Sequence, residues 1–334
     1  MTGKVTPDAL ADFLAATGAA DPAVAVGPAY GEDAAAIDLG DRTLVVATDP
    51  VSLAADAVGR LAVHVACNDV AASGADPRWL TNTALLPDDD PDRRASVAGD
   101  VDAAAADLGV AVVGGHTETV ASLDRPLLSM TAFGTTDRVL PTGGASPGER
   151  VVLTTGAGIE ATAILATDFR DDCADAGVSA ATLDAAAGVL DAVSVVPDAA
   201  TVRAFATAAH DPTEGGVVTG LVELAAASEV VLTVERERVP VRPETRACCD
   251  ALGVDPLRTF GSGALLATVP ADRVDDAHDA LAAAGIDAAT IGSVHEPGAS
   301  AVAAREDAAE AGCVVLDGDP IREPPRDELY RFWE

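Results

Sequence analysis

The stretch Gly59-Arg60-Leu61-Ala62-Val63-His64-Val65-Ala66-Cys67-Asn68-Asp69-Val70-Ala71-Ala72-Ser73-Gly74-Ala75-Asp76-Pro77 decides how this chain is read. Gly59 to Ser73 has the period of a helix, and Leu61, Val65, Asn68, Asp69 and Ala72 share one broad face. That face is apolar except at Asn68 and Asp69. A carboxylate buried without a partner costs free energy. Asp69 therefore stands apart from the many acids expected on the surface. His64, one turn before Asn68, reads as a buried structural residue or a supporting partner. Pro77 closes the loop, and Arg78 to Leu86 reads as a strand.

The flanking sequence alternates in the same way. Asp8 to Ala16 follows Pro7 and starts as a short helix. Thr43 to Thr48 is a strand that follows a hairpin turn at Leu39-Gly40-Asp41-Arg42 and carries Asp49 at its end. Asp92 to Leu108 is an Ala-rich helix closed by Gly109. Val110 to Val113 reads as a short buried strand running into a turn, Gly114-Gly115-His116-Thr117-Glu118. Leu127 to Phe133 is a further strand. The Gly-, Pro- and Ser-rich stretch Leu140 to Gly148 marks a boundary. It divides the chain into residues 1–140, 148–320 and a tail, 321–334. Beyond it, helices are expected at Ile159–Thr167, Ala181–Leu190, Asp198–Ala208, Gly216–Ala227, Pro243–Leu252 and Ala271–Ala284. Strands are expected at Val151–Leu153, Val230–Val234, Leu265–Val269 and Ile291–Val294. Each half thus alternates strands and helices around one sheet. The tail holds Tyr330, Phe332 and Trp333, and is expected to dock on the body or on a protein partner.

The charge balance excludes several functions. The 334 residues carry 54 acids and 21 bases, for a formal net charge of −33. Lys4 is the only lysine, so a phosphate-loop lysine, a protein-kinase strand lysine and a Schiff-base lysine are all excluded unless Lys4 moves in from the terminus. No basic footprint for nucleic acid is visible. Such self-repulsion is relieved by molar salt, which shrinks the screening length to about 3 Å, and the expectation is a halophile's cytoplasm. The five cysteines show no CxxC spacing and read as core residues. Neither a signal segment nor a long apolar run suggests a membrane.

The candidate chemistry is acidic. Glu32 and Asp33 precede a strand, Asp49 ends one, Asp69 interrupts an apolar helix, and Glu118 follows a Gly pair. Carboxylates brought together repel one another unless a cation lies between them, and hard oxygen ligands suit Mg²⁺. Gly114 and Gly115 would let backbone N–H groups approach a ligand, and His116 could orient a carboxylate or a phosphate. In the second half, Asp211-Pro212-Thr213-Glu214-Gly215-Gly216 makes a turn into a helix whose free N–H groups could receive an anion. Gly261-Ser262-Gly263 is a weaker cradle. Arg150, Arg242 and Arg258 are candidate anion contacts.

Taken together, Gly31-Glu32-Asp33-Ala34-Ala35, Thr48-Asp49, the Asn68–Pro77 segment, Gly114–Glu118 and Asp211–Gly216 resemble the aminoimidazole-ribonucleotide synthetase superfamily. The nearest subgroup is the hydrogenase-maturation carbamoyl dehydratase type, through Pro240-Val241-Arg242-Pro243 and Cys248–Pro256. The resemblance implies an α+β fold of two α/β-sandwich domains and a homodimer that pairs the N-terminal domains. It also implies ATP in the cleft between domains, with Mg²⁺ on acidic residues. Carried over, Glu32, Asp33, Asp49, Asp69 and Glu118 are metal partners. Asn68, Gly114, Gly115, Thr117, Asp211, Gly215 and Gly216 line the nucleotide site with Asp33. Asp49, Asp69 and His116 carry the chemistry.

The chain departs from that pattern in three places. Glu32-Asp33 replaces an Asp-Asp pair, and no N-terminal Gly-rich segment is present. The subgroup's C-terminal cysteine is also missing, since the last one is Cys313, 21 residues before Glu334. The reading is an Mg·ATP-dependent synthetase- or dehydratase-like enzyme that activates a small-molecule oxygen by phosphoryl transfer. The alternatives are a thiamine-monophosphate-type kinase and a nucleotide-binding scaffold whose tail docks on a partner.

Overall fold

A computed structural model of the chain describes residues 3–16, 18–52, 57–298 and 310–334. Two sheets organise it. The first contains β1 (Val24–Val26), β2 (Ala35–Asp38), β3 (Thr43–Val51), β4 (Asp76–Leu86), β5 (Ala111–Thr119) and β6 (Leu127–Thr136), in the order β1-β2-β3-β6-β4-β5. Its helices are α1 (Pro7–Leu14), α2 (Val58–Ala72) and α3 (Pro91–Leu108). All pairings are antiparallel except β4 with β5, which α3 connects.

The second sheet contains β7 (Arg150–Thr154), β8 (Ala208–His210), β9 (Val231–Val234), β10 (Leu266–Val269), β11 (Ala288–His295), β12 (Cys313–Leu316) and β13 (Asp319–Ile321). Its order is β13-β12-β9-β11-β7-β10-β8. Helices α4 (Ile159–Thr167), α5 (Arg170–Asp175), α6 (Ala180–Gly188), α7 (Val196–Val202), α8 (Gly216–Ala227), α9 (Pro243–Leu252) and α10 (Val274–Ala283) surround it. Among the described residues no single helix is long and apolar enough to cross a membrane, although the bent pair Ala180–Ala192 and Val196–Val202 has the length and composition.

Helix α2 is the hinge of the architecture. Every residue in it except Arg60 is buried, which a helix on a solvated sheet would not show. One side packs Ala62, Val63, Ala66 and Val70 against Val45, Leu80, Leu128 and Met130 of the first sheet. Ala71 and Ala72 join Val195, Ala199 and Val202 of the second half. Asn68 adds two hydrogen bonds, its amide donating to Val193 O at 2.9 Å and its Oδ1 accepting from Val195 N at 2.8 Å.

Three expectations change, and one open alternative is decided. The helix expected over Asp198–Ala208 ends at Val202, and Ala208–His210 instead joins β10 as a strand. Pairing with a buried strand outweighs the helix propensity of an Ala-rich run. The short buried strand at Val110–Val113 is the start of an exposed edge strand that runs through the expected turn to Thr119. Strands β12 and β13 form where none was expected. The tail docks on the body: Leu329 and Tyr330 are buried, and Phe332 and Trp333 lie 5.1 and 5.2 Å from Phe169, centroid to centroid. Of the two dockings expected for the tail, on the body or on a protein partner, the first is the one seen.

Candidate functional site

Four aspartates from four different elements meet at the seam between the two sheets. Asp33 lies in the loop before β2, Asp49 near the end of β3, Asp69 on α2, and Asp211 just after β8. Asp69 and Asp49 share a side-chain hydrogen bond. Burial, and then the charge of Asp49, push the Asp69 carboxyl well above the usual carboxylate range, with Asp33 and Asp211 adding to the effect. Burial and Asp33 do the same to Asp211. Both Asp211 carboxylate oxygens are buried without a well-formed hydrogen bond.

A second buried chain anchors this cluster. His210 Nδ1 stands 2.8 Å from Asp33 Oδ2, and Nε2 stands 2.9 Å from Glu223 Oε2 on α8. Burial pulls the imidazole down, but Asp33 and Glu223 outweigh it and push it up to about 10, so it is a cation at neutral pH. Glu223 stays below its ordinary value in spite of burial, because Lys4 and His210 face it. The sole lysine arrives from the N-terminus. Lys4 Nζ lies 3.4 Å from Glu214, 3.8 Å from Glu223 and 3.4 Å from the Thr213 hydroxyl.

Beside the aspartates, a cavity of about 70 Å³ is lined by Asp49, Glu160, Thr213, Glu214, Phe260 and Ser262, among others. Glu160, on the first turn of α4, is buried there and pushed up to about 7, first by desolvation. Asp327, from the tail, is likewise pushed up to about 7 by burial. Its Oδ2 accepts a hydrogen bond from Gly215 N at 2.7 Å.

The other site residues from sequence do not converge here. Glu32 accepts hydrogen bonds from Thr142 N and Gly143 N, both at 3.3 Å, and so caps the turn between the domains instead of joining Asp33. Gly114, Gly115, His116, Thr117 and Glu118 belong to the exposed edge strand β5. Asp49 pairs with Met130, Met130 with Asn82, and Asn82 with Gly115, so three strand spacings, about 14 Å, separate the row's ends. His116 meets only Glu118, at 3.4 Å, with both side chains exposed. A Cβ at Gly115 would stand 2.1 Å from Asn82 O, so strand pairing by itself requires glycine there.

Gly215 and Gly216 are not an open anion cradle. The tail carboxylate takes the Gly215 N–H, and Gly216 N donates to Thr213 O at 3.0 Å. A Cβ on Gly216 would meet Thr259 O at 2.4 Å, a packing requirement of the helix start. His64 is buried structural imidazole, lowered to about 4 by burial and by Arg60. Asn68 spends its amide on the interdomain bonds and thereby fixes the next residue, Asp69. Sequence reasoning missed Glu223, Glu160 and Asp327. Glu223 carried a readable signal, being an acid within the apolar run Val217–Ala227, the same criterion that singled out Asp69.

The cluster suits a cation. Among the described residues no three carboxylate, imidazole or thiolate groups already enclose a bare metal ion. Mg²⁺ asks for less, because it keeps waters and shares phosphate oxygens. Asp69 and Asp211, both raised by burial and by neighbouring acids, are carboxyls whose repulsion a cation placed among them would relieve.

Comparison with known proteins gives the same placement. The family model described as AIR synthase related protein, N-terminal domain, matches residues 31–136, and the C-terminal domain model matches residues 146–305. Carbamoyl dehydratase HypE of Azotobacter vinelandii is 33% identical over 277 residues, covering 78% of each chain. The HypE of Cupriavidus necator is 33% identical over 287 residues, covering 76% of this chain and 74% of its own. Among solved structures, hydrogenase maturation protein HypE in complex with ATP superposes with a TM-score of 0.70 at 28% identity, covering 92% of this chain and 90% of its own. AaThiL complexed with AMPPCP and TMP has the same fold, with a TM-score of 0.75 at 21% identity over 97% and 98% of the two chains. Two matched domain models and relatives at this identity place the chain in the AIR synthase related family, on the side of the hydrogenase-maturation HypE proteins.

Proposed function

We propose that this protein is an Mg·ATP-dependent enzyme that activates an oxygen of a small molecule by phosphoryl transfer, in the manner of a synthetase or dehydratase. The observation that carries the reading is the convergence of Asp33, Asp49, Asp69 and Asp211 at the domain seam, with the Asp211 oxygens unpaired. A relative solved with ATP supports the choice of nucleotide.

Asp33, Asp49, Asp69 and Asp211 would hold the cation. Mg·ATP supplies the phosphoryl group and the positive charge that the carboxylates lack. His210 keeps Asp33 in place through a buried contact and is itself fixed by Glu223. Lys4 brings the chain's only ammonium to the mouth of the seam. Glu160, poised near neutrality inside the small cavity, is placed to accept or return a proton at the acceptor.

A second copy of the chain completes the assembly in this reading. The edge strand β5 exposes Val112 and Val113, at 46% and 59%, along an unpaired strand edge. Pairing that edge with another copy would cover it and remove an aggregation liability.

The test is titration of Mg·ATP in about 2 M KCl, a salt level that screens the acidic surface, with ADP formation followed in the same sample. Mg-dependent binding is expected, with slow turnover until an acceptor is supplied. Phosphate release with an acceptor marks the synthetase or dehydratase route, whereas a stable phosphorylated product marks a kinase. No binding at millimolar ATP overturns the proposal.

A further inference from the structure

A cavity larger than the one beside the aspartates lies away from them. It is an open groove of about 640 Å³ at the opposite end of the first sheet, within the size range of small-molecule sites. Arg42, Arg78, Arg138 and Arg203 line it, with Asp76 and Asp137. Thr136, at its wall, pairs with Thr43 on β3, six residues from Asp49. That separation is about 20 Å along the strand.

The groove runs against the charge of the whole molecule. The chain has 21 bases against 54 acids, yet four arginines line this groove with two aspartates, and Asp41 stands beside Arg42. Like charges gathered in a concave surface raise the local potential and draw in counter-ions.

Two of the arginines are held rigidly. The Arg138 guanidinium donates to Arg203 O at 2.9 Å and Ala206 O at 2.7 Å. Its backbone is fixed by Thr136, whose hydroxyl donates to Arg138 O at 2.8 Å and accepts from Arg138 N at 3.0 Å. No carboxylate neutralises it among the described residues. Arg203 is held by Asp76 at 2.7 Å. The other two are open. Arg42 has only Asp41, at 3.9 Å, and Arg78 lies over the Trp79 ring at 4.9 Å. Two guanidiniums locked across the domain junction and two free at the rim match a ligand with more than one anionic group. Their planar donor forks suit phosphate oxygens.

We infer that the groove framed by Arg42, Arg78, Arg138 and Arg203 is a second anion site, distinct from the aspartate seam, for a small molecule bearing a diphosphate. It needs no divalent cation, because its own arginines supply the charge. It spans both domains, since Arg42 and Arg78 belong to the first, Arg203 to the second and Arg138 to the connection between them.

Calorimetric titration of the full chain with inorganic pyrophosphate, at fixed KCl and with chelator present, tests this. Saturable one-to-one binding is expected. The Arg42→Gln/Arg78→Gln double variant should bind at least tenfold more weakly, and it removes only exposed rim groups, so the fold is spared. Asp49→Asn should bind as the parent does. The site is overturned by absence of saturable binding, by equal binding in the double variant, or by loss of binding in Asp49→Asn alone. Citrate binding as tightly as pyrophosphate overturns the phosphate assignment.

Discussion

The two ends of strand β3 carry opposite charge problems. At one end Asp49 joins Asp33, Asp69 and Asp211 in a buried cluster. At the other, beyond Thr43, four arginines surround an open groove. Burial is the difference between them. In the seam, repulsion cannot be screened by water or salt, and Asp69 and Asp211 are pushed well above their ordinary values. In the groove the arginines are partly solvated, and water and salt screen them from one another. A buried set of like charges therefore answers to pH and to cations. An exposed set answers to salt and to anions.

The largest effect that would sharpen this contrast lies in the chain that anchors the seam. Glu223→Ala removes the partner of a buried imidazolium and of Lys4. The expected loss of stability is about 3 to 5 kcal/mol, read as a fall in the denaturation midpoint. A loss under about 1 kcal/mol would show that His210 is not held as a cation.

Next come the aspartates themselves. Asp69→Asn and Asp211→Asn should each weaken Mg·ATP binding roughly a hundredfold, about 2.7 kcal/mol, while the unliganded protein keeps or gains thermal stability. Binding unchanged in both variants would dissolve the cluster as a site, and a large loss of stability would make its role structural.

The pH dependence separates the ends further. Glu160 and Asp327 have folded values of about 7, against about 4 for an unfolded carboxyl. The folded state therefore holds their protons more tightly. Their contribution to stability is complete below about pH 4, is lost as pH rises toward 7, and is absent above it. Denaturant unfolding should show the parent losing roughly 4 to 5 kcal/mol more between pH 5 and pH 8 than the Glu160→Gln/Asp327→Asn variant does. Parallel curves would refute the assignment.

The smallest effect belongs to the basic end. Asp76→Asn breaks an exposed pair with Arg203 and should cost under about 1 kcal/mol, less still in high salt. A larger loss would mean that the groove is a structural clamp between domains and not an open site.

Much of this was legible beforehand. Asp69 announced itself by interrupting an apolar helix, and Asp49 by ending a buried strand. The Gly- and Pro-rich stretch after Leu140 falls between the last strand of the first sheet and the first of the second. Glycine was the misleading signal. Gly115 and Gly216 are there because a neighbouring carbonyl leaves no room for a Cβ, and a sequence does not distinguish that from room made for a phosphate. The charge groupings were hidden for a similar reason. Arg42, Arg78, Arg138 and Arg203 are scattered through the sequence, and Lys4 is 219 positions from Glu223.

The sequence by itself determined the family, the alternation of strands and helices, and the scarcity of lysine. Those are properties of composition, period and local motif. Tertiary structure alone decided which acids are buried together, which N–H groups are already occupied, and where the few cations gather. Each depends on separations through space of a few ångströms between residues far apart in the chain, and the Coulomb and desolvation energies that set their chemistry follow that distance.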